Sequence, residues 1–406
     1  MHVMNRRAVL QVAGLGVAAP AAACLPGTAP AVPTVSPQRS GAAQPAAPPE
    51  AARGQESARP GPPAKDSAWT THWQDIVAAA EREGTLSLLT VVGRGYRSVI
   101  ERFEQAFPGI SVQHVAESSP TVWLGATRQA RRARSPVFDV ALVHPDRALA
   151  EGGPEGMWAT VRPLLFRPDV LDDGAWRGGV DARFMDVGGT LCFDWEYQVI
   201  HAYAINTDMV GHGEIRTVKD LLAPKWKGKI LSSDARIGGG LLSAASVAMS
   251  WGTDVLKQLL VDQRPTFSRA GPGQVTEALV RGQYPIALGV RPKALNPLRE
   301  QGLGHNVKYL DLPDADFVAT NGLFCFDRAP HPAAAALFAN CILTHEAQTI
   351  LTGGLRTNSA RTDVEPFEQD GIGTANKSYY EQDREANYAH TTATQQFVNG
   401  LLGRAP

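Results

Sequence analysis

The sequence predicts an α/β protein built as two doubly wound lobes joined by extended crossings. Three observations carry this. Strand-like apolar runs alternate with stretches of helical spacing from Trp73 onward, the signature of a layered α/β unit. A long, aromatic, β-rich stretch from Thr190 to Asn206 then interrupts the alternation without a helix-length break. Beyond it the alternation resumes and runs to Leu343, so the chain holds two such units. With 406 residues, 44% of them hydrophobic and 19% charged, there is apolar material for both cores.

The elements follow in order. Trp73 to Glu83 places Trp73, Ile76, Val77 and Ala80 on one helix face, and Gly84 stops it. Thr85 to Val92 is a β-rich run of the kind buried on both faces of a parallel sheet. Gly93-Arg94-Gly95-Tyr96 turns the chain into a helix from Ser98 to Phe107, closed by Pro108-Gly109. Ile110 to Val115 is the next strand, and Ser118-Ser119-Pro120-Thr121 supplies helix-start residues. Val137 to Val143 is a third strand, with His144-Pro145-Asp146 opening the loop after it. In the second unit, Lys229 to Ser233 is a strand and Asp234 to Gly240 leads into a helix near Leu241 to Ser250. Val275 to Arg281 is a short helix, and Tyr284 to Val290 a strand ending at Arg291-Pro292. Phe317 to Phe326 reads as one return strand, before an Ala-rich helix from Pro332 to Leu343.

The first 68 residues contain no Phe, Trp, Tyr or Ile, and a packed core cannot be built from them. Arg6-Arg7 followed by an apolar run from Ala8 to Ala23 describes an export signal, too short to span a bilayer with ease. Arg6 to Gln11 also resembles the twin-arginine motif, so both export routes stay open. Ala21-Ala22-Ala23-Cys24 fits two readings. One is a lipobox in which Cys24 carries the lipid anchor, although Ala21 stands where Leu is usual; the other is an ordinary A-x-A cleavage site. Residues 25 to 65 hold 10 of the 29 Pro and no aromatic residue, a tether that favours the anchored reading. Its reach is roughly 35–40 Å as a coil and up to ~130 Å if fully polyproline-like.

Lys+Arg 39 against Asp+Glu 40 leaves a net charge of -1, which argues against a nucleic-acid partner. Cys24, Cys192, Cys325 and Cys341 are too few and too scattered for a disulfide scaffold or a zinc knuckle. The last three lie in apolar contexts and read as buried thiols, with a Cys192–Cys325 bridge left open. No His-Glu-x-x-His motif and no Gly-x-Ser-x-Gly elbow occurs, and Gly238-Gly239-Gly240 lacks the ending of a nucleotide-hydrolysing phosphate loop. No catalytic nucleophile–base pair, metal site or cofactor is legible.

In doubly wound sheets ligands bind at loops beyond the carboxyl ends of strands. That rule selects the loops at Gly93, Ser118 and His144 in the first unit, and those at Asp234 and Arg291 in the second. Arg94, Arg236 and Arg291 sit there, and Arg forks recognise carboxylate and phosphate groups. Because the chain holds 30 Arg, any one of them near a loop is weak evidence by itself. Ser118 and Ser119 add hydroxyls that N-capping explains almost as well, and Asp234 reads as a helix cap in the same sense. Tyr96 and Trp195 are read as core before ligand stacking. Tyr379-Tyr380 reads as a partly packed surface pair.

Leu221 to Ile230 (Leu-Leu-Ala-Pro-Lys-Trp-Lys-Gly-Lys-Ile) resembles the Pro-x-Trp-Lys-Gly-Lys segment of type II substrate-binding proteins of ABC importers. Ala204 to Asp208 resembles the strand-then-Asn-Thr-Asp segment before it, and Ala329 to Phe338 with Glu346-Ala347-Gln348 resembles the family's late helix. The order agrees over roughly residues 73 to 365, while 366 to 406 fall outside. The resemblance implies the type II periplasmic-binding-protein fold, with a β hinge between the lobes. It also implies a monomeric, non-enzymatic, exported receptor that closes on a small-molecule solute and delivers it to a membrane permease. The expected organisation is an export signal over 1–24, a tether over 25–68, lobe 1 over 69–190 plus 316–365, and lobe 2 over 191–315. Residues 366–406 are expected to pack on the lobes. The nearest branch includes ferric-ion binders, which place adjacent tyrosines in the loop after the strand matching Tyr284 to Val290. This sequence has Gly289-Val290-Arg291-Pro292-Lys293 there, which favours an anion over iron. A ferric receptor is the alternative, and an exported enzyme or sensory lipoprotein on the same fold is the alternative of another class.

Overall fold

The computed structural model describes residues 67–268, 271–374 and 376–403. Arg6, Arg7, Cys24 and the proposed tether lie outside the described residues. Lobe 1 is built on a sheet whose first three strands, Ser111–Ala116, Thr85–Thr90 and Val140–Val143, are parallel neighbours in that order. Gly322–Phe326 then adds antiparallel to Val140–Val143 and carries Trp158–Ala159 and Phe193–Asp194 on its far side. Thr85–Thr90 is buried at five of its six positions, as its continuous apolar pattern requires of a strand covered on both faces. Helices Ser67–Glu83, Gly95–Ala106 and Pro332–Ile342 enclose one face around Phe103, Phe107 and Phe338. A second cluster on the opposite face holds Trp123, Trp158 and Phe324.

Lobe 2 repeats the plan with five strands in the order Val307–Tyr309, Tyr203–Asn206, Ile286–Leu288, Ile230–Ser233, Thr266–Ser268. The last three of these run parallel, whereas Tyr203–Asn206 opposes both of its neighbours. Leu-Leu-Ala-Pro-Lys-Trp-Lys-Gly-Lys lies just before strand Ile230–Ser233, with Trp226 buried in the lobe 2 core.

The crossings differ from the expectation in an informative way. Thr190 to Asn206 contains three short strands, one in each of three sheets: Phe193–Asp194 in lobe 1, Gln198–Ile200 in the hinge and Tyr203–Asn206 in lobe 2. Phe317 to Phe326 is likewise two strands, broken at Thr320-Asn321: Phe317–Ala319 in the hinge and Gly322–Phe326 in lobe 1. At the break Thr320 donates to Asp383 and Asn321 to Glu196, so both residues find side-chain partners between the two ladders. The hinge sheet is completed by Tyr380–Glu381, pairing parallel to Phe317–Val318. Tyr379 and Tyr380 are therefore buried hinge residues and not a surface pair. The Tyr379 hydroxyl donates to Asp311 at 2.9 Å, and the Tyr380 hydroxyl meets Thr391 Oγ1 at 2.6 Å. Cys192, Cys325 and Cys341 are buried thiols in no disulfide, so no bridge joins the first two.

Candidate functional site

Strands Ile230–Ser233 and Ile286–Leu288 are parallel neighbours, so both deliver their following loops to the same end of the lobe 2 sheet. The second loop turns at Gly289, whose φ of 103° belongs to the left-handed region. A Cβ there would overlap Ser233 Oγ, which donates to Leu288 O at 3.0 Å. This turn points Arg291, the N-cap residue of helix Pro292–Glu300, at the lobe boundary. Its guanidinium leans over the ring of Phe317 on the hinge strand, 5.8 Å from the centroid. Its Nη2 atom occupies the space that a side chain on Gly239 would need. Gly239 stands in the first turn of helix Gly238–Lys257, which kinks at Gly252, and free N–H groups at such a helix start favour negative charge.

Among the described residues no carboxylate pairs with Arg291. The contrast with other sheltered arginines is direct. Arg183 pairs with Asp194 at 2.9 Å, and Arg361 pairs with Asp363 at 2.8 Å. Burial pulls the Arg291 guanidinium below its ordinary range, with the nearby Tyr309 hydroxyl opposing the fall. A mostly buried cation beside a helix N-terminus is an electrostatically incomplete arrangement.

The other expected site residues are placed as follows. Arg236 turns its fork onto Asp234, with Nε to Oδ1 at 2.8 Å and Nη2 to Oδ2 at 2.6 Å. Asp234 also accepts the Arg236 backbone N–H at 3.0 Å, so the two residues brace their loop together. Arg94 stands exposed at the N-cap position of helix Gly95–Ala106. Ser118 Oγ accepts from Val92 N at 2.9 Å and joins the first two lobe 1 loops. Ser119 is the N-cap residue of helix Pro120–Arg132, and its own N–H donates to Glu117 at 2.7 Å. Tyr96 is fully buried in the lobe 1 core, as is Trp195. The Tyr96 hydroxyl has no hydrogen-bond partner among the described residues, and burial, with the charge of Glu196, raises its pKa.

One buried carboxyl near the lobe boundary escaped sequence reasoning. Glu196 is buried beside the hinge, where it accepts from Asn321 Nδ2 and Thr357 Oγ1. Burial raises its pKa, and the hydrogen bonds from Thr357 and Asn321, with a smaller contribution from the charge of Lys293, oppose that rise. Lys293 belongs to lobe 2 and follows Arg291 by two positions, so its charge reaches across the boundary to a lobe 1 carboxyl. The signal was present in Phe193-Asp194-Trp195-Glu196-Tyr197, because a carboxyl inside a buried aromatic run must find partners.

A cavity of about 320 Å³ opens where lobe 2 meets the C-terminal segment, lined in part by His201, Arg299, Tyr309, Asp370 and Thr374. His201, Asp311 and Asp316 bring one ligand atom each within 4.8 Å of one another, a geometry that invites a metal. Their donors are already used. His201 Nδ1 meets Asp316 at 2.7 Å and Nε2 meets Asp370 O at 2.8 Å. Asp311 accepts from Lys377 at 2.8 Å and from Tyr379 at 2.9 Å, and Asp316 accepts the N–H groups of Ala202 and Leu312. Through Asp370, Lys377 and Tyr379 the cluster ties the C-terminal segment to lobe 2 beside the hinge.

Fold and site together define a two-lobed binding protein of the periplasmic type, in which strands cross between mixed α/β lobes and loops meet at their boundary. The chain belongs to the family described as bacterial extracellular solute-binding protein, whose model matches residues 95–353. Among solved structures, iron-bound HitA from Pseudomonas aeruginosa is 16% identical with a TM-score of 0.56, covering 78% of this chain and 99% of its own. Apo FutA2 from Synechocystis PCC6803 is 15% identical with a TM-score of 0.60, covering 79% and 99%. The Bordetella ferric binding protein is 16% identical with a TM-score of 0.61, covering 79% and 100%. At such identities the likeness concerns the fold. No curated protein matches the sequence significantly. The protein is a solute-binding receptor.

Proposed function

We propose that this receptor works outside the cytoplasm, takes a small anionic solute between its lobes and hands it to an ABC-transporter permease. Arg291 carries the ligand class: a mostly buried guanidinium at a helix N-terminus, with no carboxylate partner among the described residues. Taking an ion out of water costs several kcal/mol unless a partner compensates, so the site is completed by an anion. The Arg fork suits a carboxylate or phosphate, and Lys293 adds charge beside it. Arg94, Ser118 and Ser119 are the lobe 1 groups we assign to the opposite face. Asp234 and Arg236 shape the facing loop, and Tyr96 lies beneath the Gly93 loop. A thermal-shift panel of phosphate, sulfate, citrate and Fe(III), followed by calorimetry, tests the reading. A bound anion should raise the melting temperature by mass action, and the shift should vanish in Arg291→Ala. Tight Fe(III) binding with no response to any free anion would refute it.

A second reading, a ferric receptor, is favoured by the fold shared with iron-bound HitA. Tyr96 and Glu196 offer oxygen donors of the right chemistry, while Arg291-Pro292-Lys293 stands where that branch carries tyrosines. The lipid anchor is also our reading. Cys24→Ala should move the protein from the membrane to the soluble fraction, and equal partitioning of mutant and parent would remove the anchor from the account.

A further inference from the structure

Helix Tyr388–Leu402 packs along lobe 2 and sets its first residue against lobe 1. Tyr388 packs against the lobe 1 cluster that holds Met185 and Cys192, and its hydroxyl donates to Asp383 O at 3.0 Å. Ten positions later Val398 is fully buried in the lobe 2 core with Tyr203 and Val247, flanked by Phe397 and Leu402. Ten positions at a rise of about 1.5 Å put roughly 15 Å of helix between those docks.

Polar contacts fasten the segment leading into the helix to lobe 1, and the helix itself to lobe 2. On lobe 1, Thr320 donates to the Asp383 carboxylate at 2.9 Å, and Arg384 donates to Ala182 O and Phe184 O at 3.0 Å each. Val187 N donates to Glu385 at 2.7 Å, and Glu385 N donates to Met185 O at 3.0 Å. On lobe 2, His390 Nε2 meets Ala245 O at 2.8 Å, and Gln395 donates to Arg236 O at 3.2 Å. Arg236 in turn reaches Gly403 O at 3.5 Å. The helix therefore ends on the Asp234–Arg236 loop that faces Arg291.

A strand that crosses a hinge can follow lobe opening by changing a few backbone angles. A helix docked on one lobe cannot when Tyr388 and the turn Glu385–Asn387 running directly into it are fastened to the other, because no slack separates the two docks. We propose that helix Tyr388–Leu402 is an interlobe brace that limits opening of the cleft, so that solute exchange requires one dock to let go. Its effect on binding rests on the cleft being the solute site; its effect on shape does not. The brace favours the arrangement in which both docks are made, and so reduces the free energy a solute must supply for closure. A helix released from either dock no longer bridges, so damage at the two docks should not add.

The test uses the full chain. Arg384→Ala loosens the lobe 1 dock and Val398→Ala the lobe 2 dock, with Gln395→Ala as a milder lobe 2 variant should Val398→Ala fail to fold. Small-angle scattering without solute should show a larger radius of gyration for each single variant. The double variant should exceed neither by a measurable amount. With phosphate or sulfate as probe, each single variant should release the anion several-fold faster than the parent. Unchanged radii in both single variants, or fully additive increases, would overturn the brace. If the radii respond as expected and no anion of the thermal-shift panel binds, the brace stands and the anion reading falls.

Discussion

Replacing Arg291 by Met separates a ligand-binding arginine from a structural one. Arg291→Met keeps much of the side-chain volume over Phe317 and removes the charge. The loss of the ring contact, 5.8 Å from the centroid, costs about 0.5–1 kcal/mol at most, and sulfur–ring contact restores part of it. Against that, exchanging buried charge for a well-packed apolar group is neutral or stabilising by about 1–4 kcal/mol. The solute-free protein should therefore melt at the same temperature or a few degrees higher, given roughly 2–4 °C per kcal/mol for mid-sized chains. Binding should move the other way. Losing one partner of a desolvated charge pair typically costs ~2–5 kcal/mol, so affinity should fall by roughly 30-fold or more, and Arg291→Lys should recover only part. Scanning calorimetry of the solute-free protein and isothermal titration with the anion from the thermal-shift panel measure the two arms. A variant that melts markedly lower yet binds like the parent would show that Arg291 is a packing residue.

Three further outcomes are expected. Arg236→Ala should change anion affinity far less than Arg291→Ala, because Asp234 already holds the Arg236 fork; equal losses in titration would return Arg236 to the ligand shell. Burial alone would lower the His201 pKa, but its bond to the Asp316 carboxylate and the charges of Asp316 and Asp311 raise it overall. A raised histidine contributes stability that is full below about pH 6.5 and is lost as pH rises through the folded value. The urea midpoint of the parent should accordingly exceed that of His201→Gln more at about pH 6 than at about pH 9, and a gap that widens with pH would contradict the assignment. Burial pushes the Cys325 thiol up to about 12 and raises Cys192 as well, so in a Cys24→Ser background no thiol should react with a disulfide reagent until the protein is unfolded.

The alternation of apolar runs and helical spacings determined the two lobes, and the aromatic stretch at Thr190 marked the crossing, because periodicity is a local property of the chain. The loops that hold the candidate site were legible for the same reason, since a strand's carboxyl end can be read from where its pattern stops. What only the tertiary structure decided was which cation is left without a counter-ion. Arg236 and Arg291 look alike in sequence, each just past a strand, yet one fork closes on Asp234 and the other packs, partly buried, against Phe317 and Gly239. That difference depends on side-chain direction and on a hinge strand that arrives 26 positions after Arg291. Glu196 and the C-terminal helix were hidden more deeply. Glu196 is held by Asn321 and Thr357, 125 and 161 positions away, and Arg384 is anchored to Ala182 across 202 positions. Contacts at such separations leave no period in the chain, because only the folded path brings their partners together.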